Sequence, residues 1–397
     1  MRILVLNSGS SSLRFALYEG AGNSPLASGL AECLNSEDAG LTLKLPKSEL
    51  TLPIPGSDHE QALRSAVILL KENGALTSAP DAVGHRIVHG GEHFSAPSLV
   101  TPGMIKLVAS CNHLAPLHNP SGLLGIKIAQ QIFPDTAQVA VFDTSFHQSL
   151  PERSYLYAIP RSFHEEHGVR RYGFHGSSHS YVAQTAASQL GFPLEHSRIL
   201  SAHLGNGCSA TAILNGKSID TTMGMTPLEG LVMGTRSGDI DPGVILFLGK
   251  ELNMPIQEIS DLLNQQSGLL GLSGISNDMR ELREQAADGS DEARIAIEIF
   301  CYRAAKSLAS LTVALGGIDT LIFTGGIGEN DAVTRTQILA HLSYLGLKID
   351  PDRNSDHGWS SNGIITTENS SAQAAVIPTN EELMIARLTQ STLITSH

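Results

Sequence analysis

The chain has 397 residues, 38 of them glycine, and only 16% of it is charged. At roughly 100–200 residues per domain this length favours two domains, and the composition suits a glycine-turned α/β enzyme rather than a coiled coil or a disordered tail. Lys and Arg number 26 against 39 Asp and Glu, so the net charge of −13 argues against a nucleic-acid binder.

The opening apolar run at 3–6 is too short for a secretion signal, and no run of 18 apolar residues offers a membrane span. Cys33, Cys111, Cys208 and Cys301 lie far apart without a Cys-x-x-Cys pair, which excludes a disulfide framework or structural zinc. The expectation is a cytoplasmic protein with neither membrane nor nucleic acid as partner.

Residues 2–6 are apolar on both faces and read as a buried strand. A polar turn follows at 7–12, an alternating strand at 13–18 and a third apolar stretch at 26–30. Amphipathic patterns predict helices over 60–72, 121–132 and 178–190, the first ended by Asn73-Gly74 and the last by Gly191. Residues 199–204, 210–214 and 218–221 then repeat the strand–turn–strand–turn–strand pattern, with Asn215-Gly216 as a hairpin signal. The longest helix is expected over 291–315, with Ile295, Ile299, Tyr302, Lys306 and Ala309 on one stripe. A short buried strand at 320–323 leads into a Gly-rich turn at 324–330, and a last helix is expected over 381–388, capped by Thr379 or Asn380.

Two hairpin turns are the first chemical candidates. Glycine lets the backbone approach a ligand, and successive N–H groups with Ser hydroxyls form an anion nest. Ser10, Ser11 and Ser12 with Arg14 form one such turn, and Gly205-Asn206-Gly207 forms another. With the turn at 325–328 they suggest a nucleotide held by two similar lobes. The chain has no Walker phosphate loop and no Gly-x-Gly-x-x-Gly.

His85, His89 and His93 are spaced by four, but Ile87-Val88 and Gly90-Gly91 favour a strand ending in a turn, which disfavours zinc. Arg86 suits a carboxylate or phosphate, or else a salt bridge to a nearby acid. Asp143 ends a buried strand, where it can organise a metal or cap a helix. His175, between Gly173 and Gly176, precedes a helix N-terminus whose positive potential favours a phosphoryl group. Arg236 lies in a glycine-flanked loop, with Asp239 and Asp241 as alternative partners.

In these stretches the sequence resembles the acetate kinase family. The matching segments are Asn7-Ser8-Gly9-Ser10-Ser11-Ser12, Gly84-His85-Arg86-Ile87-Val88-His89-Gly90-Gly91, Val141-Phe142-Asp143-Thr144 and Tyr172-Gly173-Phe174-His175-Gly176. They continue with His203-Leu204-Gly205-Asn206-Gly207, Arg236 through Pro242, Gly326-Ile327-Gly328-Glu329-Asn330 and Thr379-Asn380-Glu381-Glu382, in the family's order.

The resemblance implies an α/β fold of two lobes with duplicated actin-like and sugar-kinase-like topology, and ATP in the cleft between them. The implied lobes are 1–148 with 381–397, and 149–380, the second carrying most ATP and dimer contacts of a homodimer. It implies reversible, Mg²⁺-dependent transfer of a phosphoryl group from ATP to acetate, with Mn²⁺ as a substitute ion and ADP as co-product. Arg86 and Arg236 would hold the carboxylate and the moving phosphoryl group, His175 would stabilise that group, and Asn7, Asp143 and Glu381 would organise the metal. His203, Leu204, Gly205, Asn206, Gly207, Asp278, Met279, Arg280, Gly326, Ile327, Gly328, Glu329 and Asn330 would bind ATP. Arg14 belongs with them, at a position where many relatives carry Lys. Val88, Leu117, Phe174 and Pro227 would line a pocket for the methyl group. A propionate or other short-chain acyl kinase is the alternative within the class. An ATP-driven binding protein of the chaperone or actin kind, or a purely structural acidic protein, are the readings outside it; Arg86 and Arg236 speak against the first, and ATP-dependent thermal stabilisation would remove the second.

Overall fold

The apolar run at the N-terminus forms β1 (Arg2–Ser8), in which Ile3, Leu4 and Val5 are wholly buried. Their burial on both faces marks a central strand. The computed structural model describes residues 1–20, 22, 24–116 and 118–395. These divide into two units, 1–148 with 380–397, and 149–379.

In the first unit β1 pairs antiparallel with β2 (Leu13–Glu19), and β3 (Ala27–Glu32), β4 (Gly40–Leu45) and β5 (Ser48–Pro53) continue the meander. On its other side β1 pairs in parallel with β6 (Ala82–Ile87). The two-residue β7 (Ser98–Leu99) and β8 (Ala137–Phe142) complete the order β5-β4-β3-β2-β1-β6-β8-β7. The helix His59–Glu72 starts at a reciprocal cap: Gln61 N–H donates to the Asp58 side chain, and Asp58 N–H donates to the Gln61 side chain. Its Leu63, Ala66 and Leu70 join Leu4, Leu6, Phe15 and Leu17 in one core. Each fully buried Leu or Phe there contributes about 1.5–3 kcal/mol of transfer free energy.

The last helix, Glu381–Thr395, runs beyond the expected 388 and packs on β1, β6 and β8. Gly84 permits this approach, because a Cβ at that position would collide with Thr389 and Ile385. The helix is capped by Asn380, whose Oδ1 accepts from Leu383 N–H at 2.9 Å.

The second unit repeats the layout. β9 (Arg198–Leu204), β10 (Cys208–Leu214) and β11 (Lys217–Thr221) form an antiparallel meander; β12 (Thr320–Thr324) and β13 (Gln373–Val376) add in parallel. The order β11-β10-β9-β12-β13 reproduces β3-β2-β1-β6-β8. The molecule is a mixed α/β protein of duplicated topology.

The helix Asp291–Leu315 has its expected bounds, with Ser290 accepting from Ala293 N–H and left-handed Gly316 at the other end. Its buried face is not the expected stripe. Ala296, Phe300, Ala304 and Leu308 face the core, whereas Ile295 and Tyr302 are 42% and 52% exposed. The expected stripe runs along the side that carries Arg294, Glu298, Arg303 and Lys306, and the helix buries the opposite, uncharged side. No described helix is long and apolar enough to cross a membrane.

Candidate active site

The carboxyl ends of parallel strands in the first unit carry one charged cluster. Arg86 is the penultimate residue of β6, and Asp143 follows β8 directly. Asp143 is 1% exposed and its carboxylate takes both arms of the guanidinium: Arg86 Nη2 donates at 2.6 Å and Nε at 3.0 Å. The salt-bridge alternative for Arg86 is therefore realised, and Asp143 caps no helix. Arg86 Nη1 also reaches the Asn7 carboxamide oxygen at 3.4 Å.

Glu381 opens the last helix in the same cluster. Its Oε1 is buried and finds no hydrogen-bond partner. Burial pushes this carboxyl up to about 6, opposed by Arg86 and reinforced by the negative charges of Asp143 and Glu382. A buried carboxylate oxygen beside an Asn oxygen and a second carboxylate is a hard-oxygen donor set, which suits Mg²⁺. Among the described residues no group of three or more His, Cys, Asp or Glu forms a complete metal cage. That accords with an ion held by one or two carboxylates, waters and substrate phosphates. Arg14 is exposed and lies 3.9 Å from Glu382.

Val88 lies one residue past β6, but the alternation of burial continues: His85, Ile87 and His89 are buried, while Arg86 and Val88 are less so. Arg86 and Val88 thus share a side of the chain. Asn119 fixes this turn, accepting from His89 N–H at 3.0 Å and donating to His89 O at 2.9 Å. His85 Nε2 bonds the Gln138 carboxamide oxygen at 2.8 Å. Leu117 lies outside the described residues.

In the second unit the helix Gly176–Leu190 starts two residues earlier than expected, which makes His175 its N-cap. His175 has φ of +56°, a left-handed conformation costly for a residue with a Cβ. Its ring stacks on His203 with centroids 4.3 Å apart. Ser209 Oγ bonds His175 Nδ1 at 2.9 Å and His179 Nε2 at 2.7 Å; Ser178 Oγ joins His203 Nδ1 to Thr379. The imidazoles are thereby fixed in orientation. Arg236 pairs with neither acid suggested by proximity in sequence. Its Nη1 donates to the Pro227 carbonyl at 3.0 Å, while Asp239 and Asp241 accept backbone N–H groups. A Cβ on Gly207 would stand 3.4 Å from His175 Nε2 and 3.7 Å from Arg236 Nη1, so both side chains converge over that glycine. Phe174 is buried beside His175 in sequence.

A pocket of about 620 Å³ adjoins this turn. Gly205, Asn206, Asp278, Met279, Arg280, Gly326, Ile327 and Asn330 line it, bringing together segments far apart in sequence. Asn277, Arg283 and Asp331 also line it and were missed by sequence reasoning. Asn277 adjoins Asp278, and its Nδ2 donates to Asn206 at 3.0 Å; Arg283 pairs with Asp331 at 3.1 Å. The charges of Asp278 with Arg280 and Arg283 with Asp331 cancel, which suits an uncharged base and sugar. Leu204 and Gly328 are buried and do not line the pocket, and Glu329 turns inward to accept from Gly325 and Thr379 N–H groups. His203 also stands outside the lining.

The acetokinase family pattern matches residues 2–387. The acetate kinase of Deinococcus radiodurans is 50% identical over 389 residues, covering 98% of this chain and 97% of its own length. The crystal structure of a propionate kinase from Francisella tularensis superposes with a TM-score of 0.93 at 45% identity, covering 98% of this chain and 99% of its own. That of Porphyromonas gingivalis acetate kinase gives 0.91 at 42% identity, covering 99% of both. Matched from end to end in sequence and in fold, this chain belongs to the acetokinase family.

Proposed function

We propose that this chain works as an acetate kinase, moving the terminal phosphoryl group of ATP directly and in line onto a carboxylate oxygen of acetate. The products are acetyl phosphate and ADP, and the reaction runs in either direction. The observation that carries this reading is the near-complete match to acetate kinases, within which every chemistry-bearing segment falls.

Acetate is ionised at neutral pH, so its oxygen needs no general base. Catalysis is then a matter of positioning and charge stabilisation. Adenosine takes the charge-balanced pocket, which leaves its phosphates for the backbone N–H groups of Gly205-Asn206-Gly207. Arg236 and His175, converging over Gly207, stabilise the charge spread over the moving phosphoryl group. Arg86 holds the acetate carboxylate and Val88 meets its methyl group, with Phe174 and Pro227 as further walls. Asn7, Asp143 and Glu381 would hold Mg²⁺ through its waters, and the ion screens the phosphate charge when bound.

A coupled assay across acetate, propionate and butyrate tests the reading. Acetate should give the highest kcat/KM, with propionate accepted less well; equal or better use of propionate would assign the chain to the propionate alternative.

We place the enzyme in the cytoplasm, which the free state of its four cysteines supports. We also propose a homodimer. The helix Pro242–Lys250 is apolar yet buries no residue, and Leu246, Phe247, Leu252 and Ile256 are all more than half exposed. Contiguous apolar surface of this kind marks an association face. Light scattering should return twice the chain mass, and Phe247→Asp should halve it.

A further inference from the structure

Phe174 and His175 belong to one irregular segment, and Pro227 and Arg236 to another. A half-buried knot ties the two together. Arg171, four residues before His175, points its Nη1 at three successive carbonyls of the other segment: Thr221 and Thr222 at 2.8 Å and Met223 at 3.3 Å. Its Nη2 pairs with Glu229 Oε1. The other carboxylate oxygen, Oε2, accepts from the Tyr157 hydroxyl, and Tyr157 in turn accepts from Met225 N–H at 2.9 Å. Tyr172 N–H donates to Gly224 O at 3.0 Å, closing the knot on the side of His175. Gly224 is packed so tightly that a Cβ would overlap both the Glu229 carboxylate and the Tyr157 hydroxyl.

The same segment delivers the grip on Arg236. Its Pro227 carbonyl, two residues before Glu229, is the acceptor of Arg236 Nη1. Between Thr221 and the helix at Pro242 there is no regular secondary structure to do this work. The place of Pro227 therefore rests on the side-chain bonds at Glu229 together with the bonds that tie Gly230 to Asp239. Burial and the adjacent Glu229 charge push the Tyr157 phenol up, so it stays a donor. Each oxygen of Glu229 thus faces its own donor.

We infer that Glu229, held by Arg171 and Tyr157, is a positioning residue for phosphoryl transfer: it fixes Arg236 relative to His175 by locking the Pro227 carbonyl. This rests on the roles proposed for Arg236 and His175. Glu229 touches neither reactant; it acts through the loop. None of the knot residues lines the adenosine pocket. Its loss should therefore slow the chemical step and leave nucleotide binding alone.

Steady-state kinetics and thermal melting of Glu229→Ala, Glu229→Gln and Tyr157→Phe test this, with acetate and ATP as substrates. A displacement near 1 Å at reacting groups costs on the order of 100-fold, so Glu229→Ala should lose about 100-fold in kcat with KM for ATP within about threefold. Glu229→Gln keeps the shape and one good acceptor and should recover at least about tenfold of that loss. Tyr157→Phe removes one bond from the periphery and should cost about tenfold or less. A Glu229→Ala enzyme within about threefold of wild-type kcat overturns the inference, as does a loss of kcat matched by an equal loss of ATP affinity and a collapse of Tm. If the alanine variant does not fold, Tyr157→Phe decides: a several-fold loss of kcat with KM for ATP unchanged supports the inference, and an unchanged kcat overturns it. A wild-type enzyme without acetate-dependent turnover would instead overturn the function proposed above.

Discussion

The strand layout β3-β2-β1-β6-β8 of the first unit and β11-β10-β9-β12-β13 of the second match down to single residues. β1 opens Arg2-Ile3-Leu4 and β9 opens Arg198-Ile199-Leu200. In each, the arginine N–H donates to an aspartate, Asp81 or Asp319, and that aspartate's N–H donates back to the arginine carbonyl. Further along, the register sets Leu6 beside His85 in one unit and Ala202 beside Phe323 in the other. One residue later the likeness ends. The first unit places Asn7 and Arg86 there, and the second His203 and Thr324, followed by Gly325-Gly326. One backbone thus ends in charged side chains in one copy and in bare backbone flanked by imidazoles in the other. The scaffold fixes where chemistry can sit, and the few residues past each strand end decide which chemistry it is.

That contrast can be broken from the second unit first. If Arg236 stabilises the moving phosphoryl group as proposed, Arg236→Ala should lower kcat by about 100- to 1,000-fold with little change in KM for ATP. Turnover near wild type would remove Arg236 from the transition state. The first unit comes next. Glu381→Gln should raise the Mg²⁺ concentration for half-maximal rate by about 10- to 100-fold while leaving ATP affinity at saturating Mg²⁺ unchanged. An unaltered Mg²⁺ titration would show that the orphaned Oε1 serves no ion.

A finer probe is Val88→Ala, on the same side of the chain as Arg86. The ratio of kcat/KM for propionate over acetate should rise by about tenfold, since one methylene in an apolar site is worth roughly 1–3 kcal/mol. A fixed ratio would mean that Val88 does not meet the alkyl end.

The smallest effect tests the buried position at which the two copies differ. Burial lowers the His85 imidazole to about 4, against a partial gain from Gln138. The folded protein keeps His85 neutral while the unfolded chain takes up a proton below about 6.5. Stability is therefore lost as pH falls from about 6.5 towards 4. His85→Phe copies the Phe323 position of the second unit. Its urea unfolding midpoint should fall less steeply over that window, and an equal slope would acquit His85.

The duplication is visible in the sequence only as a pattern of strands and turns, because Arg2-Ile3-Leu4 and Arg198-Ile199-Leu200 are short and the aspartates that answer them stand far off at 81 and 319. Helix 291–315 was legible in its limits, since Ser290 and Gly316 are local signals. Its buried face was legible too, since Arg294, Glu298, Arg303 and Lys306 mark the opposite side, but the apolar stripe expected here ran along that charged side. The glycine turns were legible, and Arg86, His175 and Arg236 were singled out through ordered motifs. Asn277, Arg283 and Asp331 were not, since nothing local distinguishes a pocket-lining polar residue from a solvated one.

The sequence by itself determined the class of protein, the strand–turn repeats, the limits of four helices to within two residues and the residue types available for phosphoryl transfer. All of these rest on interactions within a few residues of the chain, where periodicity, caps and turn chemistry act. Only the tertiary structure decided that Arg86 is clasped by Asp143, that Glu381 presents an unpartnered oxygen, and that Arg236 is held by Pro227 rather than by Asp239 or Asp241. Those outcomes depend on groups from nine to hundreds of residues apart competing for the same donors and the same buried space. That competition is settled by packing and desolvation, which have no signature in local sequence.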